Sequence, residues 1–255
     1  MNWQQALKDF RNYLQIERGL SKNSVDNYSL DISKLINHLS HHNIQVSPLK
    51  ISTEILQNFV YEIAKELNSR SQSRIISGLK SFFNYLIFEG ERKDNPMDLI
   101  ESPKTGRKLP DTLSLEEIDQ LIDAIDLNVA EGERNRSIIE TLYGCGMRVS
   151  EITDLKISDL YFKEGFIKVT GKGNKERFVP VGDITQEYMT AYIENSRNRV
   201  PIKNKASDIV FLNRRGNQLT RAMIFTIVKN LAIAADLGKT ISPHTFRHSF
   251  ATQLL

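Results

Sequence analysis

One stretch breaks the rhythm of this 255-residue chain. From Leu155 to Gly182, "LKISDLYFKEGFIKVTGKGNKERFVPVG", apolar and polar residues alternate with period two. Turn-forming residues interrupt it at Lys163–Gly165 and Gly171–Lys175, the pattern of three short antiparallel strands. Everywhere else the apolar spacing is helical. The chain is therefore expected to be mainly α with one small antiparallel three-stranded sheet, an α+β arrangement.

The first 95 residues carry no convincing strand. "WQQALKDFRNYLQIE" sets Trp3, Leu7, Phe10, Tyr13 and Leu14 on one stripe, and Gly19 stops it. Ser21 reads as the N-cap of "LSKNSVDNYSLDISKLINHLSHH". "STEILQNFVYEIAKEL" and "SRSQSRIISGLKSFFNYLIFE" follow, the last ending at Gly90. Four amphipathic helices with short connections predict a small bundle over 1–95. Pro96, Pro103, Gly106 and Pro110 mark a linker over 96–112. A second domain over 113–255 places two helices before the sheet and three after it, ending in "PHTFRHSFATQLL".

Hydrophobic residues make up 40% and charged residues 25%, so a packed core is expected rather than disorder. No apolar run approaches the roughly 20 residues of a membrane span, and "MNWQQALKDF" is no signal peptide. A cytoplasmic protein without a membrane partner is the expectation. The single cysteine, Cys145, excludes an internal disulfide and a cysteine-only metal cage. Cys145 and the Phe82–Phe83 pair read as core. Charge is unevenly spread: 1–110 hold 15 Lys+Arg against 12 Asp+Glu, 111–133 hold none against 8, and 134–255 hold 19 against 11. The last segment suits a polyanion, or else a solvated face balanced by the acidic helix.

Four places offer chemistry. In "YGCGMRVSEI", Arg148 follows a helix ended by Gly144 and Gly146 and stands where the next one starts. It either aims a fork of donors at an anion or pairs with Glu151, itself a carboxylate favoured in a first helical turn. In "VTGKGNKERFVP", Lys172 rides a hairpin tip with Lys175 and Arg177 behind it: a proton donor, or an ordinary solvated turn. In "SPHTFRHSFATQLL", Pro243 suits the first helical position, so His244 and Arg247 share one face of the first turn. His248 lies four beyond His244, but position 245 is Thr, and no third metal ligand is evident among His38, His41 and His42. A buried, hydrogen-bonded imidazole suits His248 better. Lastly, Arg18, Lys22, Asn23, Tyr28, Arg70, Ser73, Arg74 and Lys80 in the helical half, with Lys175, Arg177, Arg214, Arg215 and Arg221 later, suit DNA phosphate contact or a plain solvated surface.

In order, Arg148-Val-Ser-Glu151, Gly171-Lys172-Gly173 and His244-x-x-Arg247 resemble the catalytic domain of the tyrosine recombinases, the phage integrase family. The resemblance covers nearly the whole chain. "GLSKNSVDNYSLDISKL" is similar to the opening of the family's helical, SAM-like core-binding domain. "LYGCGMRVSEI", "TGKGNKERFVP" and "SPHTFRHSFATQLL" look most like the Xer branch, the bacterial chromosome-dimer recombinases, although integrases of mobile elements share much of them.

The resemblance implies site-specific DNA cleavage and rejoining through a 3′-phosphotyrosyl intermediate. Arg148 and Arg247 would clamp the scissile phosphate, Lys172 would protonate the departing 5′ oxygen, and His244 would assist at a phosphate oxygen. Glu151 and His248 would support them from behind. Neither a cofactor nor a metal is implied. The implied partners are double-stranded DNA carrying a recombination site, further protomers, identical or paralogous, completing a tetramer on it, and a DNA translocase as activator.

One part of the family pattern is missing from these residues. A His or Trp and then a tyrosine nucleophile belong C-terminal to His-x-x-Arg, yet all eight tyrosines lie at or before Tyr192. Tyr143, Tyr161, Tyr188 and Tyr192 read as packing residues. The expectation is that this 255-residue form binds DNA, makes no covalent link, and is a monomer when free. A non-enzymatic DNA-binding or regulatory protein keeping the recombinase fold is the alternative. A type IB topoisomerase and a metal-dependent nuclease rank behind it.

Overall fold

The computed structural model describes residues 1–104, 106, 111–171 and 173–253. The chain forms two compact units, Met1–Arg107 and Lys108–Leu255.

The first unit is helical. Helix α1 (Trp3–Asn12) runs into a π turn over Tyr13–Glu17, and α2 (Lys22–His41), α3 (Thr53–Glu66) and α4 (Ser69–Phe88) follow. Asn2, Ser21, Ser52 and Asn68 cap these four helices, each side chain accepting from a backbone N–H of the first turn. Such a cap contributes about 1 kcal/mol. The apolar stripes meet in an aromatic centre: the Phe10 ring stands edge-on to Phe82 at 5.3 Å and lies 5.4 Å from Tyr85. Phe82 and Phe83 are fully buried. Met97 and Ile100, inside the segment expected as linker, are buried in this same core. Asn95 fixes their approach by donating to the Lys80 carbonyl and the Asn84 side chain.

A carboxylate is also sealed into this unit. Asp31 is 2% exposed and its Oδ2 accepts from Arg74 Nη1 at 2.7 Å. Burial pushes the Asp31 carboxyl up and the Arg74 charge opposes it. Gly78 in α4 provides the room, since a Cβ there would stand 2.7 Å from Asp31 Oδ2.

The second unit surrounds α6 (Gly132–Gly144), whose Ile138, Ile139 and Leu142 are fully buried. Helices α8 (Asp183–Glu194) and α10 (Pro243–Gln253) pack against it. Helix α5 (Leu115–Asp123) begins with a capping box between Ser114 and Glu117, and α7 (Val149–Thr153) and α9 (Arg221–Ala234) complete the helices. The sheet is antiparallel in the order β1 (Leu160–Tyr161), β2 (Phe166–Thr170), β3 (Glu176–Pro180). The first strand is only two residues long because 3-10 turns occupy Ile157–Asp159 and Phe162–Glu164. The β2–β3 register sets Ile167 opposite Val179 and Val169 opposite Arg177. Alternation then sends these four to one face and the aromatic rings of Tyr161, Phe166 and Phe178 to the other. Among the described residues, no helix is long and apolar enough to cross a membrane.

Replacing an exposed mid-helix glycine by alanine stabilises by up to about 1 kcal/mol. Gly78→Ala is expected to do the reverse, costing about 1–3 kcal/mol as an overpacking change against Asp31. A lowered urea midpoint with an unchanged slope is the measurement.

Candidate active site

The site is built where α6 hands over to α7. Cys145 and Met147 are buried and anchor the connection in the core. Between them Gly146 has φ +54, and a Cβ on it would collide with the Phe250 ring of α10. Both constraints require glycine. Arg148 is the N-cap of α7, with extended backbone. Its N–H donates to Glu151 Oε2 at 2.8 Å and its Nη1 to Glu151 Oε1 at 3.0 Å.

Glu151 is the hub. Its side chain is 1% exposed, and Arg177 of β3 also grips it with two bonds, Nη1 to Oε1 at 2.7 Å and Nη2 to Oε2 at 2.9 Å. Burial alone would push this carboxyl up. The hydrogen bonds from Arg177 and Arg148 outweigh it and hold the group at about 2. Arg177 reaches it because strand parity places it on the face shared with Val169 and Val179.

Arg247 approaches from α10 and donates from Nη1 to the Gly146 carbonyl at 2.6 Å. Burial lowers its pKa, and the positive charges of Arg148 and then Arg177 lower it further, against Glu151. Arg148, Arg177 and Arg247 thus surround one carboxylate and leave a local excess of positive charge. Arg148 remains half exposed. Such an arrangement is suited to an oxyanion: planar donors, held in place before a ligand arrives. His244 is exposed one turn before Arg247, on the same helix face.

Lys172 lies outside the described residues. Its neighbour Gly171 closes the β2–β3 turn by donating to the Lys175 carbonyl at 2.8 Å. A Cβ on Gly171 would stand 3.4 Å from Arg177 Nη1 and 3.7 Å from Glu151 Oε1, so the root of the hairpin abuts the hub. Lys175 is exposed.

Two sequence readings need correction. His248 is exposed rather than buried, because it shares the outward face of His244 while Thr245, Phe246 and Ser249 turn inward. Arg177 was expected among the DNA contacts, yet both of its terminal nitrogens are committed to Glu151. Its parity with Val169 and Val179 was the available signal.

The other cations are dispersed. In the first unit Arg18, Lys22, Asn23 and Arg70 are exposed, Lys80 is half-buried, and Tyr28 stands edge-on to Phe10. Ser73 donates to the Pro103 carbonyl, and Arg74 is engaged by Asp31. In the second, Arg214 pairs with Glu131 while Arg215 and Arg221 are exposed. The tyrosines of this unit pack. Tyr143 donates to Gln253, Tyr161 stacks on Phe166, Tyr188 lies under the Arg136 guanidinium, and the buried Tyr192 hydroxyl accepts from the Leu212 N–H.

Residues 111–255, which hold the arginine cluster around Glu151, match the Phage integrase family, and residues 7–90 match the phage integrase N-terminal SAM-like domain. The chain belongs to the phage integrase family. Within it, the chain is 41% identical over 251 residues to a tyrosine recombinase XerD of Oceanobacillus iheyensis, covering 98% of this chain and 84% of that protein. A tyrosine recombinase XerD of Staphylococcus epidermidis is 40% identical over 250 residues with the same coverage. Among solved integrase-family structures, the XerH site-specific recombinase bound to palindromic difH substrate superposes with TM-score 0.75 at 25% identity, over 97% of this chain and 72% of that one. A lambda integrase dimer bound to a COC′ core site shares the fold, with TM-score 0.76 at 17% identity over 98% and 69% of the two chains.

The depressed Glu151 pKa fixes a sign. Between about 4.5 and about 2 the folded carboxyl binds fewer protons than the unfolded one. Its stabilisation is therefore full above the upper value and is lost as pH falls toward the lower. Urea unfolding of the wild type should weaken across that window, and the Glu151→Gln variant should be less stable above it and show a flatter profile within it.

Proposed function

We propose that this chain is an Xer-type site-specific DNA recombinase that acts on double-stranded DNA in the cytoplasm. The reading is carried by one observation: the guanidinium groups of Arg148 and Arg247, 99 positions apart in sequence, lie within electrostatic reach around the Gly146–Glu151 turn. The XerD relatives and the DNA-bound XerH structure support it.

In this reading Arg148 and Arg247 hold the scissile phosphate and neutralise the charge that builds on its oxygens in the five-coordinate transition state. Lys172 delivers a proton to the departing 5′ oxygen, which makes the cleavage reversible by the same group. His244 bonds a phosphate oxygen from the neighbouring helical turn. Glu151 and Arg177 act as positioning residues: they fix Arg148 and touch no reacting atom. The nucleophile is a tyrosine, and Tyr143, Tyr161, Tyr188 and Tyr192, engaged in the contacts described above, do not fill that role. The 255-residue polypeptide accordingly binds its site without forming a phosphotyrosyl link. Further protomers, identical or paralogous, complete a tetramer on DNA, the free 255-residue form is a monomer, and a DNA translocase activates the chromosomal reaction.

The test begins with enrichment of a preferred sequence from a randomised duplex pool. A single recovered motif is expected. On that duplex Arg247→Ala should lower affinity and reduce the dependence of log K on log salt by about one, as for one lost phosphate contact. A nicked version of the same duplex should yield no covalent adduct with these 255 residues. Recovery of no preferred sequence, or an Arg247→Ala variant with unaltered affinity and salt slope, would overturn the reading.

A further inference from the structure

Away from the arginine cluster, the helical unit carries a second convergence of side chains that the recombination chemistry does not use. We propose that His38, His42 and Glu62 form a binding site for a divalent transition metal of the zinc class. The site joins the end of α2 to α3.

The placement follows from the helices. His38 lies in the last turn of α2 and His42, four residues on, is its C-cap, so their imidazoles share one face. Glu62 comes from α3, which returns after the connection over residues 43–52. Its Oε2 lies 3.1 Å from His38 Nδ1 and 3.1 Å from His42 Nε2. One donor atom from each of the three residues lies within 4.8 Å of the other two. Tetrahedral zinc with bonds of about 2.0–2.1 Å needs neighbouring donors about 3.3 Å apart. The two carboxylate–imidazole separations already match that spacing, and the two imidazole nitrogens, within 4.8 Å of each other, would close on the ion through rotation of the more exposed His42 ring.

The donor set matches the ion chemically. Two imidazole nitrogens and one carboxylate oxygen suit zinc and its neighbours rather than calcium or magnesium. Burial of the His38 ring favours the neutral imidazole that a metal requires. The His38 ring is held edge-on to Phe59 at 5.2 Å and its side chain is 10% exposed, so its orientation is set by packing. His42 and Glu62 are about two-fifths exposed, which gives the ion an entry path and leaves a coordination position to water. Three protein ligands and one open position is the result. Its physical effect is a cross-link between α2 and α3 that closes the intervening loop, so metal binding adds to the stability of the helical unit.

The experiment uses the full chain, freed of metal by chelation and titrated with zinc chloride by calorimetry. Its thermal unfolding is followed with and without the ion, and cobalt(II) serves as a visible probe. One equivalent of zinc should bind, raise the melting temperature, and be replaceable by cobalt with the absorption of a four-coordinate N/O site. His42→Ala and Glu62→Gln alter exposed side chains and should fold, as circular dichroism will check. Each should weaken zinc binding by at least tenfold and abolish the thermal shift. No binding by the wild type overturns the proposal, since the three side chains are then only a hydrogen-bonded cluster. Binding that survives both substitutions overturns it as well, and would place the ion elsewhere, for instance on the exposed His244–His248 pair.

Discussion

A buried carboxylate cannot remain charged without compensation; leaving one unpaired costs several kcal/mol. Glu151 meets that demand with the Arg148 backbone, the Arg148 guanidinium and both arms of Arg177. The consequence runs in the other direction too. Without that negative charge, Arg148, Arg177 and Arg247 would face one another as three cations, and mutual repulsion would turn the exposed ones toward water. The hub therefore does two things with one interaction. It ties the sheet to the start of α7, and it holds Arg148 half exposed in a fixed direction while the net charge at the surface stays positive. A ligand anion meets donors that have already lost their rotational freedom.

Local periodicity made most of the architecture legible. The four helices of the first unit and the antiparallel order of the three strands follow from where apolar residues recur, because burial of one face is what each element must achieve. The short β1 was less legible, since 3-10 turns on either side of it satisfy the same alternation. Arg177 shows a different limit. Its charge suggested an outward ligand contact, but its parity with Val169 and Val179 decides its direction, and only knowledge of a buried carboxylate opposite explains why a cation is tolerated there. Arg74 repeats the lesson in the helical unit, where Asp31 is its partner 43 positions away. Composition assigns charges to surfaces; pairing across elements overrides it. His248 went wrong for the opposite reason: an isolated imidazole was given a buried role although its spacing from His244 already put both on one face.

The motifs of the candidate site were visible as short strings, yet the strings do not say what brings them together. Helix α10 supplies the answer. The Gly146 carbonyl receives Arg247, and the absence of a side chain at Gly146 admits the Phe250 ring one turn further along. Ser249 Oγ accepts from the Leu113 N–H at 2.7 Å while itself donating to the Thr245 carbonyl, and Gln253 accepts from Tyr143. These attachments reach residues 113, 143 and 146, and each joins residues more than 100 positions apart in the chain. A helix fastened over its whole length presents His244 and Arg247 as a rigid pair, so their aim depends on the packing of the unit and not on their own side-chain entropy. The glycine is the most exacting of these attachments. Any side chain at 146 would need both a left-handed backbone and the space of the Phe250 ring, and displacing that ring would move Arg247 away from Arg148. Arg148, His244 and Arg247 are therefore only as well placed as a turn that carries no functional group.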